Sequence, residues 1–399
     1  MEGWPSRGEI PAFPVPLLFM SAIQTTQDEQ LYWLALQLVP GLGSRKAGQL
    51  IEQFQGPREV FRSSLSELES LGLAAATARS ILSGCTFEDA ATQQEKMLRC
   101  GAVMIPLLEG RYPKRLRSIF DPPPLLFCRG RIELLDSVMI GVVGTRRPTA
   151  YGMAASDRLS RELAMTGLTV VSGMARGIDT AAHKAALEVG GGTVAVLGCG
   201  VDMVYPAENR KLAEEIGAKG LLVSEFPMGT PPYPQNFPVR NRVVSGLGVG
   251  IVVVEGAKYS GSAITARLAV EQGRELFAVP GNITSKMSWS PNLLIKQGAK
   301  LVQEAEDVLS ELSAGDRRRL GAMKGGRQVA EQQSLTPEIE SAAGRSLLEL
   351  LAVDEALHVD VILENLPQYS SSELIAALFE LEMLGLVRQL AGKQFIKVW

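Results

Sequence analysis

The chain is poor in histidine. His183 and His358 are the only two in 399 residues, and they stand far apart. A His-based metal site or a Ser-His-Asp triad therefore has little material to draw on, and no metal or cofactor is expected. Four cysteines, Cys85, Cys100, Cys128 and Cys199, are scattered without a CxxC pair. That argues against a zinc ribbon and fits buried thiols in a reduced, cytoplasmic setting. No apolar run approaches the ~20 residues that span a bilayer, so no membrane partner is expected. A G-x-x-x-x-G-K-[ST] run is missing, as is a clean G-x-G-x-x-G followed about 20 positions on by an acid. Nucleotide hydrolysis on a Walker loop and nicotinamide redox chemistry are both disfavoured.

What is present is a chain long enough for two or three domains, with a nearly balanced charge of −3. The balance hides a gradient. Residues 95–312 hold 25 Lys/Arg against 21 Asp/Glu, a net +4, whereas residues 337–399 hold 4 against 10, a net −6. The centre can attract phosphate and the acidic tail repels it. Residues 1–24, apolar in part but interrupted by prolines, read as a disordered extension or as lying upstream of a start at Met20. A signal peptide is the lesser alternative.

Residues 25–90 read as a helical domain. Pro40-Gly41-Leu42-Gly43 ends one helix, Ser44 is placed as the N-cap of the next, and a second Leu-Gly-Leu follows at Leu71-Gly72-Leu73. The pair resembles a helix-hairpin-helix (SAM-like) array, whose amides can bind a phosphate. Two ordinary helix-connecting turns are the plainer alternative. From Val138 onward β-branched runs alternate with amphipathic helices, which predicts a parallel sheet covered on both faces. The fold class is thus α/β with a Rossmann-like core over 95–312. Residues 313–336 read as a polar, Gly-rich linker. Three helices and a hairpin over 337–399 make a winged-helix domain.

Three glycine-bearing loops follow predicted strands, where open α/β sheets bind ligands. They begin at Gly144-Thr145-Arg146, at Ser172-Gly173-Met174-Ala175-Arg176-Gly177, and at Glu255-Gly256-Ala257-Lys258-Tyr259-Ser260-Gly261. A fourth segment, Gly229 to Arg242, reads as a proline-rich loop bearing Phe237, Arg240 and Arg242. Arginine and lysine neutralise phosphates, aromatic rings stack on bases, and glycine lets amides reach an anion. Phe237 is either a stacking platform or a loop anchor. Asp179 and His183 form an i,i+4 pair that fits acid-base work, though service to the helix start and to a buried partner is the simpler reading. No catalytic residue is assigned.

At these residues the sequence resembles the DNA-processing protein A (DprA, Smf) family. The matching stretches are Val143-Gly144-Thr145-Arg146, Ser172 through His183, Val196 through Asp202 with Tyr205-Pro206 and Asn209, Phe237-Pro238-Val239-Arg240-Asn241-Arg242, and Gly261-Ser262-Ala263 onward to Pro280-Gly281-Asn282. They cover nearly all of the central domain in order. The resemblance implies a homodimeric, non-hydrolytic protein. Such a protein binds single-stranded DNA, protects incoming strands during natural transformation and helps load the recombinase RecA. It implies that Thr145, Arg146, Arg176, Arg240, Arg242 and Lys258 bind phosphates, that Gly173, Gly177 and Gly261 give backbone access, and that Phe237 stacks. The stretch Thr284 to Trp289 departs from commoner family forms. The rival expectation is a nucleotide-binding enzyme of the lysine-decarboxylase-like phosphoribohydrolase type. Its Pro-Gly-Gly-x-Gly-Thr run is missing after strand Gly250–Val254, where Glu255-Gly256-Ala257-Lys258 stands instead.

Overall fold

The computed structural model describes residues 27–321 and 341–397, apart from 259, 352–355, 384–385 and 391. The expected extension over 1–24 and the linker portion 322–336 lie outside the described residues. The chain divides into two units, 1–323 and 324–399.

The first unit is built on one nine-stranded sheet: β1 (Val103–Pro106), β2 (Leu125–Gly130), β3 (Met139–Val143), β4 (Thr169–Ser172), β5 (Thr193–Val196), β6 (Leu221–Ser224), β7 (Gly250–Val253), β8 (Glu275–Ala278) and β9 (Lys300–Leu301). Their spatial order is β1-β2-β6-β5-β4-β3-β7-β8-β9. From β6 to β9 every pairing is parallel; β1 and β2 close one edge antiparallel. The chain runs outward from β3 to β6, then returns to start β7 on the other side of β3. That reversal makes a topological switch point between β3 and β7, where doubly wound sheets open a crevice.

Burial follows the pleat. Met139 and Val143 of β3 face one core, and Val138, Ile140 and Val142 the other. Both faces are covered, so the strands read as continuous apolar runs instead of alternating ones.

Two expected boundaries are corrected. Helix Phe87–Cys100 crosses the expected break at 90–95, and Trp33, Leu50 and Ile81 of the helical region share one core with Phe127, Val196 and Leu222 of the sheet. The helices Gln27–Gln37, Ser44–Phe54, Pro57–Arg62, Leu65–Ser70 and Ala75–Ser83 therefore belong to the same unit as the sheet. Likewise residues 314–321, read as the start of a linker, are helical. Leu320 is buried there, and Asp316 takes Arg115 at 2.6 Å. Polar composition concealed a helix whose buried acid, Asp316, pairs with Arg115 while Arg317, Arg318 and Arg319 stay exposed. Gly43, not Ser44, is the N-cap of helix Ser44–Phe54.

The second unit comprises helices Ala342–Leu350, Val359–Asn365 and Ser371–Met383 with a three-stranded antiparallel sheet of Leu357–His358, Gln394–Lys397 and Val387–Leu390. It is a winged helix with its own core of Leu347, Ile362, Leu374, Leu378, Leu381 and Phe395.

Candidate nucleic-acid interface

A crevice of about 700 Å³ opens at the switch point. Thr145 and Arg146 after β3, Gly173 after β4, and Ser260, Gly261 and Ser262 after β7 line it, together with Phe237 and Arg240. The structure thus brings the three loops and the Phe237 segment to one place.

Only residues 229–235 of that segment form the expected loop; from Asn236 onward it is a helix, Asn236–Leu247. Pro238 sits in its first turn, where a missing N–H costs nothing. Helical geometry separates residues two apart by about 200°, so Arg240 and Arg242 diverge. Arg240 points under the crevice. It is 4% exposed and donates to the carbonyls of Gly173 (2.6 Å) and Val196. Its charge stands near the crevice floor, but its N–H groups already hold two strand ends together. Arg242 points away and donates to Glu225 at 2.6 Å, while also pairing with Asp121 at 3.1 Å. The expectation that Arg242 binds a phosphate is corrected: it is a buried structural cation.

Phe237 is half-buried at the crevice wall. Its ring centroid lies 5.4 Å from that of Tyr205, and the Arg146 guanidinium lies 5.4 Å from its ring. Arg146 is exposed. A notch of about 20 Å³ adjoins these side chains, lined by Arg176, Gly198 and Cys199 as well. Arg176 pairs there with Glu208 (2.9 Å). Lys258 lies 5.5 Å from the Trp289 ring, outside the crevice lining. The departing stretch Thr284–Trp289 thus supplies the surface on which that lysine rests.

Two of the three loops have their anion positions filled by the chain's own carboxylates. Glu255, 1% exposed, accepts from the Thr149 amide at 2.9 Å and the Thr149 hydroxyl at 2.6 Å. Thr149 in turn caps helix Ala150–Met165 by accepting from the Gly152 amide. Dinucleotide folds hold a pyrophosphate at this first βα turn. A Cβ on Gly152 would lie 2.1 Å from the Glu255 carboxylate, so glycine is needed for the approach. In the second loop Asp179 accepts from the Gly173 and Ala175 amides at 3.1 and 3.3 Å. Burial pushes its carboxyl up, against the pull of Arg240 and those amides.

Gly173 thus spends its amide on Asp179 and its carbonyl on Arg240. A Cβ at Gly173 would strike the Arg240 guanidinium at 2.5 Å, and Gly177, with φ +76°, would strike the Thr145 carbonyl at 2.5 Å. They are packing glycines. The third loop differs. Gly261 is exposed and has open space where a Cβ would project. It opens helix Gly261–Glu271, whose N-cap Ser260 makes no side-chain cap bond. Of the loop termini, this one remains available to a phosphate.

Sequence reasoning placed Glu255 at the head of the third loop and Tyr205 among the matching stretches, but gave neither the contact it makes here. A carboxylate just past a strand carries no local signal of the distant helix cap it will brace, and Tyr205 reaches Phe237 only through the fold.

His183 is fully buried, and its Nδ1 lies 2.7 Å from Thr193 Oγ1. That hydroxyl donates to Val170 O at 2.9 Å, so it must accept from His183 Nδ1–H. The pair Asp179 and His183 is built into packing. Burial and the Arg240 charge push the imidazole down to about 3. The unfolded chain binds that proton near pH 6.5. Stability from neutral His183 is thus complete well above about pH 6.5 and is lost as the pH falls toward 3, by about 2 kcal/mol between pH 6.5 and 4.5. Thermal unfolding at both pH values should show this loss, and His183→Leu should flatten it. An unchanged pH slope in that variant would contradict the assignment.

Fold and crevice together define a class: a doubly wound α/β protein with a cationic, aromatic-walled crevice at its switch point. Comparison with known proteins narrows the class. A family model described as DNA recombination-mediator protein A matches residues 103–313, and one described as DprA winged helix domain matches 331–393. The chain belongs to the DNA recombination-mediator protein A (DprA/Smf) family. It is 41% identical over 293 residues to protein Smf of Escherichia coli K12, covering 72% of this chain and 76% of that protein. It is 45% identical over 213 residues to DNA processing protein DprA of Bacillus subtilis 168, covering 53% and 72% respectively. The X-ray structure of DNA processing protein A from Streptococcus pneumoniae superposes with a TM-score of 0.65 at 34% identity, over 71% of this chain and 98% of that one. Among the described residues no helix is long and apolar enough to cross a membrane.

Proposed function

We propose that this chain binds single-stranded DNA in the switch-point crevice without cutting it. The observation that carries the reading is the stack of Arg146 and Tyr205 about Phe237, beside the open N-terminus of helix Gly261–Glu271. Aromatic faces take bases of any sequence, at ~1–3 kcal/mol per base, and cations take the backbone. A duplex hides the base faces that such a wall would engage. Arg146 and the Gly261 terminus hold phosphates in this reading, with Lys258 adding charge nearby, and Arg240 contributes potential from below.

A binding role is favoured over the phosphoribohydrolase alternative. Glu255 occupies the position at the first βα turn where a nucleotide phosphate would sit, and Asp179 and His183 are committed to internal hydrogen bonds. Membership of the DNA recombination-mediator family supports the larger proposal: a cytoplasmic homodimer that shields incoming single strands in transformation and hands them to RecA.

Fluorescence anisotropy tests the core of this reading. A labelled oligothymidine should bind the full chain more tightly than a blunt duplex of equal length, with affinity falling steeply as salt rises. Equal affinity for both, without salt dependence, would remove the proposal. Release of free base from a nucleoside monophosphate would favour the enzyme instead.

A further inference from the structure

We propose that the chain carries a second contact for single-stranded nucleic acid, separate from the crevice and centred on Phe120 and Arg45. Phe120 is 75% exposed. A lone exposed phenylalanine is ordinary, but the Arg45 guanidinium stands 4.2 Å from this ring's centroid. That is a cation–π stack held at the surface.

The surroundings of the stack favour an anionic partner. Arg45 belongs to the first turn of helix Ser44–Phe54, whose N-cap Gly43 makes no side-chain cap bond and whose first turn holds no acid. Arg45 and Lys46 instead place two cations at the positive end of the helix, an unfavourable arrangement that a bound phosphate relieves. Lys46 donates to the Leu71 carbonyl at 2.9 Å, pinning the second hairpin beside the first. Asp121, next to Phe120, is turned toward Arg242 at 3.1 Å, a cation it shares with Glu225. The approach from Lys114 to Phe120 has three cations and no acid. Arg115 is paired with Asp316, Arg117 donates to the Glu109 carbonyl, and Lys114 is exposed.

A guanidinium stacked on an exposed ring matches a base and its phosphate, the recurrent chemistry of single-strand binding. One helix ties this patch to the crevice. Phe237, Arg240 and Asn241 of Asn236–Leu247 line the crevice, whereas Arg242 of the same helix holds Asp121 and reaches Ser44 at 3.3 Å. A helix of 12 residues is about 18 Å long, so a strand of a few nucleotides can span from one to the other. The inference rests on the crevice being a strand site, and its test keeps the two apart.

A 5-iodouracil-substituted oligothymidine of about 30 nucleotides is photo-crosslinked to the full chain and the adducts are mapped by mass spectrometry. Adducts are expected at Phe120 as well as at Phe237 or Tyr205; adducts confined to the crevice overturn the proposal. In parallel, Phe120→Ala should bind the long oligomer about tenfold more weakly and leave a hexamer unaffected, with Phe120→Trp restoring affinity. Wild-type affinity for the long oligomer in Phe120→Ala overturns the proposal. So does loss of polyglutamate binding with strand binding intact, which would assign the patch to an acidic protein. If the crevice reading alone fails, Arg146→Ala binds as wild type and the Phe120 adduct persists.

Discussion

Arg146→Ala should weaken oligothymidine binding by about 10- to 100-fold, and Phe237→Ala by a similar factor. Arg146 is the exposed cation on the Phe237 ring, so its removal takes away both a phosphate partner and one side of the stack. The two losses should be less than additive, because each variant disrupts the same stack. The salt dependence separates them. Arg146→Ala should lower the slope of log affinity against log salt by about one, while Phe237→Ala leaves it unchanged. Anisotropy titrations at several salt concentrations measure both quantities. Circular dichroism should find both variants folded, since neither residue belongs to the buried cores. Wild-type affinity in both variants would move the strand out of this crevice.

The opposite signature is expected for Arg242→Ala: lost stability with nearly normal binding while folded. Arg242 and Glu225 are each 6% exposed and pair at 2.6 Å. Burial already pushes the Glu225 carboxyl up, against the pull of Arg242. Without the guanidinium, Glu225 is buried beside Asp121 with no counter-charge. Breaking such a pair costs about 3–5 kcal/mol, which lowers the melting temperature by roughly 5–15 °C. Differential scanning calorimetry reads the shift. Oligothymidine affinity measured well below the transition should stay within about twofold of wild type. An unchanged melting temperature with collapsed binding would return Arg242 to the ligand.

These two arginines show what sequence could and could not convey. Arg240-Asn241-Arg242 reads as a basic cluster after a proline-rich stretch, and the eye joins its charges. The helix that parts them is obscured by Pro238 near its start and by the β-branched Val243 and Val244. The parallel sheet was legible because its strands are short continuous apolar runs, buried on both faces, with glycine loops between them. The winged helix was legible from three apolar periodicities and two turn glycines. The helix over 314–321 was not, because its Asp316 is satisfied by Arg115, some 200 residues earlier in the chain. The same distance problem hid the role of Glu255, which lies two residues beyond β7 yet braces the cap of a helix that begins after β3. Residue types near the crevice could be named from sequence. Which of them were consumed internally required the fold.

Glu255 bears on how the protein behaves in a solution full of small phosphates. Its carboxylate is tethered beside the Thr149 cap, so its effective concentration there exceeds that of any diffusing competitor. A mononucleotide gains little at that turn, because its strongest grip, the phosphate on the helix terminus, has been taken by the protein itself. What is left over the sheet rewards length: several weak contacts spread along a polymer, none sufficient alone. On the proposed strand-binding reading, a chain that plugs its own nucleotide socket would be spared occupancy by monomers and kept vacant for a strand.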